Sequence, residues 1–293
     1  MGRRSGPPVI RWDDPSTAEW DGQPVRPPAR VNLLGVGVHP IRMADALAAF
    51  QDWIARRQPH YVCLAPAHAI MACVDQPELR PIYNCSGLTT PDGMAIVWLL
   101  RAQGHPGVER VYGPDLLPAA CQAGLAAGWR HYFYGGASGV PEQLAARLRE
   151  RFPGVHICGC YSPPFRPLTA AEAAQVQLDI RAARPDILWV GIGSPRQEQW
   201  MAGWIDQLDV PVLVGVGAAF DFLAGVKPQA PRWMQRSGLE WLFRLLSEPG
   251  RLWRRYILGY PRFVVLMLLQ FLGLYRIPLD DDSPDNDLRN AAS

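Results

Sequence analysis

From Val31 onward, short apolar runs alternate with stretches whose apolar residues recur every three or four positions. "VNLLGVGV" predicts a short apolar strand, and after it Met43, Leu47, Phe50 and Ile54 fall on one helical face. "HYVCLA" predicts a second strand, and "GLTTP" leads through Asp92 into an apolar helix. "DLLPAACQAGLAAGW" reads as a helix, "RHYFYGG" as a strand, and "VPEQLAARLRERF" as a helix with Val140, Leu144 and Leu148 on one face. "VHICGCYS" is a strand. The helix after it opens on Thr169 with Glu172 three residues on, a capping-box pattern. "DILWVGIG" (strand), "PRQEQWMAGWIDQL" (helix) and "VPVLVGVG" (strand) complete the alternation.

Near-continuous apolar strands alternating with amphipathic helices predict an α/β fold, a mainly parallel sheet covered on both faces. Ligands bind such sheets at the carboxyl ends of the strands. "GLTTPDG", "YFYGGASG", "GIGSPRQE" and "GVGAAFDF" occupy those ends and are expected to line one cleft. From Gln229 the pattern changes to a helical stretch rich in Arg, Trp and Leu. The expected organisation is a Pro/Arg-rich leader over 1–29, a catalytic α/β unit over 30–228, a helical appendage over 229–276, and an acidic tail over 277–293.

Composition narrows the function classes. Apolar residues make up 48% and charged residues 19%, as in a globular protein with a sizeable core. A net charge of +2 gives no reason to expect a nucleic-acid partner. Lys227 is the single lysine, so an arginine at any position is weak evidence of selection for phosphate. Six cysteines without CxxC spacing read as free thiols, and the six histidines show no ligand spacing, so neither a metal nor another cofactor is expected. The N-terminus lacks an apolar signal region, and a cytoplasmic protein is expected.

Candidate chemistry lies in the loops. Pro91-Asp92-Gly93 is a turn signal, and Asp is a preferred N-cap, so local pattern alone favours a capping role for Asp92. A catalytic role requires its carboxylate within reach of a substrate hydroxyl, which a strand-end position permits. "FYGGASG", with Gly135 and Gly136, either brings backbone N–H groups toward a diphosphate or makes a tight turn. "GVGAAF" lacks the third glycine and downstream acid of a dinucleotide fingerprint. Gln197 has the chemistry to bond a sugar or a base, and Glu198 suits the start of a helix without any function.

In combination, "TPDGMAIVW", "ERVYGPDL", "YFYGG", "GSPRQEQWM", "GVGAAFDFLAG" and "APRWMQRSGLEWLFRLLSEPGRLWRRY" resemble the WecG/TagA/CpsF family, glycosyltransferase family 26. The likeness runs from about Val31 to Arg262. It implies a Rossmann-like sheet and inverting transfer of a sugar, often of N-acetylmannosamine type. The donor would be a UDP-sugar and the acceptor a polyprenyl-diphosphate-linked saccharide, at the inner face of the bacterial membrane and without a metal. The subunits would associate in solution. By resemblance Asp92 is the base, Arg110 lies near the substrate phosphates, and Gln197 contacts substrate. Gly135, Gly136 and Asp221, in matching motifs, join the substrate-binding set. Arg244, Arg251, Arg254 and Arg255 match a membrane-docking appendage that completes the site over the diphosphate.

One stretch departs from the family. The strand before the Asp motif usually carries Thr-x-Asn. Here it reads "YVCLAPAHAIM", with Leu64 and Pro66 at those places and His68 where an acid is frequent. Two other functions stay open at this point: a catalytically inactive UDP-sugar-binding scaffold, and a nucleotide-dependent oxidoreductase. The C-terminal run Phe263 to Tyr275 is too short to span a bilayer, which takes about 20 residues. A helix from Pro249, interrupted at Pro261, would carry Arg251, Arg254 and Arg255 on one arc, and an interfacial helix fits better than a buried one.

Overall fold

The computed structural model describes residues 24–279. Most of the expected leader and acidic tail, residues 1–23 and 280–293, therefore lies outside the described residues. In chain order the strands are β1 Val31–Leu33, β2 Val36–Val38, β3 His60–Leu64, β4 Leu88–Thr90, β5 Arg130–Gly135, β6 His156–Tyr161, β7 Ile187–Gly191 and β8 Val212–Gly215. The helices are α1 Met43–Arg56, α2 Ala67–Asp75, α3 Arg80–Asn84, α4 Met94–Ala102, α5 Gly113–Ala123, α6 Val140–Arg151, α7 Ala170–Ala183, α8 Arg196–Leu208, α9 Ala219–Leu223, α10 Arg232–Arg236, α11 Glu240–Ser247, α12 Pro249–Trp253 and α13 Tyr260–Phe271.

β3 to β8 form a six-stranded sheet in the order β4-β3-β8-β7-β5-β6, and every pairing is parallel. Its strands are apolar on both sides because helices cover both faces. Leu116, Leu144 and Phe220 (α5, α6, α9) pack with Phe50 of α1 against one face. Ile70, Val176, Met201 and Phe263 (α2, α7, α8, α13) pack on the other. The chain leaves β5 outward to β6 but leaves β7 inward to β8, so the loops after β5 and β7 diverge. That divergence opens a crevice at the carboxyl ends. The Thr169–Glu172 capping box forms as the spacing predicts, with Glu172 N donating to Thr169 Oγ1 and Thr169 N to a Glu172 oxygen.

Three local expectations need correction. Val31 to Val38 is not one sheet strand but an antiparallel hairpin, because Leu34 and Gly35 both take positive φ (53° and 85°) and reverse the chain. Beyond the hairpin, His39 N donates to Thr89 O at 2.9 Å, which covers the exposed edge of β4. "YVCLAPAHAIM" is a strand only to Leu64; α2 begins after Pro66, where a missing N–H costs the helix nothing. Pro261 does not interrupt the C-terminal helix. Residues Arg254–Gly259 are π-helical, and the wider turn shifts the hydrogen-bond register just ahead of the proline, so the chain stays helical from Pro249 to Phe271.

The C-terminal helices share the core of the α/β unit. Phe263 and Met267 are buried against it. Gln270 accepts from Leu34 N at 2.8 Å and donates to Asn32 O at 2.7 Å, tying α13 to the N-terminal hairpin. The opposite side of this helix is apolar and open, with Val264, Leu268 and Phe271 at 62%, 56% and 72% exposure. No helix among the described residues is long and apolar enough to cross a membrane.

Candidate active site

All four strand-end loops meet in one cleft of about 1080 Å³, roofed by the C-terminal helices. Asp92 and Tyr112, Gly136 and Gly193 from the strand-end loops, and Arg244 and Arg255 from the C-terminal helices all line it. Leu64, Pro66 and His68 also line it, so the replaced Thr-x-Asn positions face the space a substrate would occupy. Such a volume accommodates a nucleotide-sugar-sized ligand.

Asp92 is not a helix cap. The N-cap of α4 is Gly93, with φ 91°, and no side chain caps that helix. The carboxylate turns instead toward Arg110, whose Nη2 lies 3.7 Å from Asp92 Oδ1. Burial raises the Asp92 pKa to about 6; Arg110 and Arg244 oppose that rise, and the nearby Glu240 adds to it. A carboxylate with that proton affinity accepts a proton near neutral pH more readily than a free aspartate does.

Arg110 stands behind Asp92 and does not line the cleft. Its guanidinium lies 3.6 Å from the Tyr112 ring centroid and is held by Glu240 at 2.6 Å. The arginines that do reach the cleft are Arg244, Arg251 and Arg255. Arg251 pairs with Glu248 at 2.6 Å, whereas Arg244 and Arg255 have no ion-pair partner among the described residues. Burial, together with Arg244 and Arg251, makes the Arg255 charge costly, so an anion in the cleft would relieve that cost. Arg254 is the exception among the C-terminal arginines. It lies exposed beside Trp253, outside the cleft that Arg251 and Arg255 line.

The glycine turn is structural on its first residue. A Cβ on Gly135 (φ 131°) would sit 2.5 Å from the Gly191 carbonyl carbon, and the Gly136 N–H is already given to Gly191 O at 3.0 Å. That bond leaves the Gly136 N–H no part in holding a diphosphate. Gln197 lines the cleft, and its amide is also engaged within the protein: Oε1 accepts from Gly217 N at 3.0 Å and Nε2 donates to Glu198 Oε1 at 2.9 Å. It braces the β7 and β8 loops from beneath. Asp221 lines the cleft and pairs with Lys227 at 3.2 Å, and Lys227 reaches Glu248 at 3.4 Å. His68 is held neutral by burial and by Arg255 and Arg244.

Sequence reasoning missed two carboxylates. Glu198 is fully buried at the cleft floor, and burial raises its pKa to about 6. Its signal was available, since Glu198 lies three residues before the buried Met201 and so on the inward face of α8. Glu240 gave no local signal, because its partners are 128 and 130 positions away. All six cysteines are free; Cys63, Cys73 and Cys121 are buried, and Cys85 is exposed. Among the described residues no group of three or more His, Cys, Asp and Glu could hold a metal ion.

A wholly parallel sheet whose strand-end cleft holds both a proton-hungry carboxylate and unpaired guanidiniums defines an α/β enzyme built for group transfer. The profile of the "Glycosyl transferase WecG/TagA/CpsF family" matches residues 31–277. The N-acetylglucosaminyldiphosphoundecaprenol N-acetyl-beta-D-mannosaminyltransferase of Bacillus spizizenii is 31% identical over 195 residues, covering 67% of this chain and 73% of the relative. The Bacillus subtilis enzyme of the same name is 26% identical over 231 residues, covering 76% and 86%. The chain belongs to the WecG/TagA/CpsF family and is a glycosyltransferase.

Proposed function

We propose that this protein moves an N-acetylmannosamine-type sugar, or a related hexose, from a UDP-sugar to a polyprenyl-diphosphate-linked saccharide, with inversion at the anomeric carbon. The observation that carries this is the placement of Asp92, raised toward neutral pKa, in one cleft with Arg244 and Arg255. Asp92 takes the proton of the acceptor hydroxyl as that oxygen attacks the anomeric carbon, and UDP leaves from the opposite face. The unpaired guanidiniums meet the charge that gathers on the leaving diphosphate, so no metal is required. The names of both Bacillus relatives support the acceptor class.

The open face of α13, with Val264, Leu268 and Phe271, supports docking on a membrane surface, where an isoprenoid acceptor resides. The exposed Arg254 is well placed for anionic lipid rather than substrate. This makes the protein a peripheral enzyme of the inner membrane face in surface-polysaccharide synthesis. The test is release of UDP by the full chain in detergent, with a GlcNAc-diphosphate-polyprenyl analogue and a panel of UDP-sugars. Turnover with UDP-N-acetylmannosamine or a close relative is expected. Tight UDP-sugar binding with no turnover on any donor would instead indicate a non-catalytic scaffold.

A further inference from the structure

Glu240 belongs to the C-terminal helices, yet its carboxylate is used inside the catalytic unit. Oε2 accepts from Arg110 Nη2 at 2.6 Å, and Oε1 accepts from Tyr112 Oη at 3.0 Å. Gln229 Nε2 completes the group by donating to the same Tyr112 hydroxyl at 3.4 Å. Arg110 thus lies between two carboxylates, bonded to Glu240 and 3.7 Å from Asp92. All three side chains are largely withdrawn from water, so the choice between partners matters more than it would on a surface.

An arginine paired closely with an aspartate lowers its pKa by about 1–3 units and blunts it as a base. Among the described residues Arg110 has no other carboxylate to satisfy it. Its Nε is buried without a partner, and Tyr112 packs against its plane. We propose, resting on the assignment of Asp92 as the base, that Glu240 is a positioning residue that holds Arg110 away from Asp92 and keeps that carboxylate able to accept a proton. Because Glu240 rides on α11, the readiness of the base depends on the C-terminal helices being seated over the cleft. The charged and titratable groups facing Asp92 are Arg110 and Tyr112 from the segment leading into α5, Glu240 and Arg244 from α11, and Tyr260 from α13. The two tyrosines are buried and their pKa values are raised, so they stay neutral. Glu240 is therefore the one charge in the group that works against both arginines.

The experiment compares Glu240→Gln, Glu240→Asp and Tyr112→Phe in the full chain. Two readouts are needed: the pH profile of UDP release, and the titration of the Asp92 carboxyl carbon by NMR, assigned with Asp92→Asn. Glu240→Gln keeps shape but frees Arg110 for Asp92. The Asp92 titration and the acid limb of the rate are expected to fall together by about 1 pH unit. The plateau rate should drop about tenfold, with UDP affinity unchanged. Glu240→Asp should restore most of the shift, and Tyr112→Phe, which removes one of the two hydrogen bonds to Glu240 together with the acceptor of Gln229, should give a smaller shift in the same direction. If Glu240→Gln folds poorly, Tyr112→Phe alone decides. An Asp92 titration unmoved in the folded variants, or a loss of rate with the acid limb in place, overturns the proposal. Failure of the underlying base assignment shows separately, as undiminished turnover by Asp92→Asn.

Discussion

Gln197 Oε1 accepts the backbone N–H of Gly217 at 3.0 Å, a bond that fastens the loop after β7 to the loop after β8. The amide cannot rotate to offer this oxygen elsewhere, because its nitrogen is given to the buried Glu198. Gln197 lines the cleft, where the resemblance makes it a substrate contact, and the same amide also braces the two loops that form the crevice.

Gln197→Ala is therefore expected to weaken UDP binding about tenfold, the scale of one or two buried hydrogen bonds. The melting temperature should fall with it, since Gly217 N–H loses its acceptor. Calorimetric titration with UDP checks this, and an unchanged affinity in a less stable protein would remove the brace from the binding site.

Gly135 and Gly136 should separate sharply under substitution. A Cβ at Gly135 meets Gly191 backbone atoms at 2.5–2.8 Å, whereas at Gly136 it meets only Val140 side-chain carbons at 3.2 Å and a Phe220 carbon at 3.6 Å. Gly135→Ala is expected to cost about 3 kcal/mol or more, and Gly136→Ala about 1 kcal/mol from its positive φ. Urea midpoints of the two variants give the order directly.

Asp92 also makes stability depend on pH. Its pKa in the folded protein, about 6, lies above the ordinary 3.8, so folding favours the protonated form. That contribution is complete below about pH 4 and is lost as pH rises through 6. Asp92→Asn should accordingly melt higher than the parent at pH 7.5 and by a smaller margin at pH 4. Thermal scans at both pH values test this, and Glu198→Gln should follow the same pattern, since burial raises Glu198 to about 6 as well.

Much of this arrangement was legible because it is local. The Thr169–Glu172 box needs only four adjacent positions, and the gathering of four loops follows from strands that are parallel. The hairpin at Leu34–Gly35 was hidden because an apolar run gives no period to mark a reversal of chain direction. Pro261 was misread because the rule that proline ends a helix assumes α geometry on the preceding turn. The resemblance puts Arg110 near the phosphates, but its pairing with Glu240, 130 positions away, is a contact that no local pattern could show.

The open face of α13 should govern attachment to lipid. Removing the whole C-terminal segment would uncover the core around Phe263 and Met267, so point changes are the cleaner probe. Leu268→Ser with Phe271→Ser is expected to reduce cosedimentation with anionic liposomes at least about tenfold and leave UDP binding intact. Cosedimentation at the parental level would exclude this face as the docking surface.

Turnover should persist in EDTA, because Arg244 and Arg255 supply the positive charge that a divalent ion would otherwise bring. Loss of activity on chelation, restored by Mg²⁺ or Mn²⁺, would contradict that account of the leaving group.

The most direct test of the site is Asp92→Asn measured for UDP release and UDP affinity in the same preparation. The amide keeps the shape of the carboxylate but takes no proton, so turnover should fall by about 10²–10⁴ while affinity changes less than about threefold. Near-parental turnover with normal affinity would show that Asp92 is not the base.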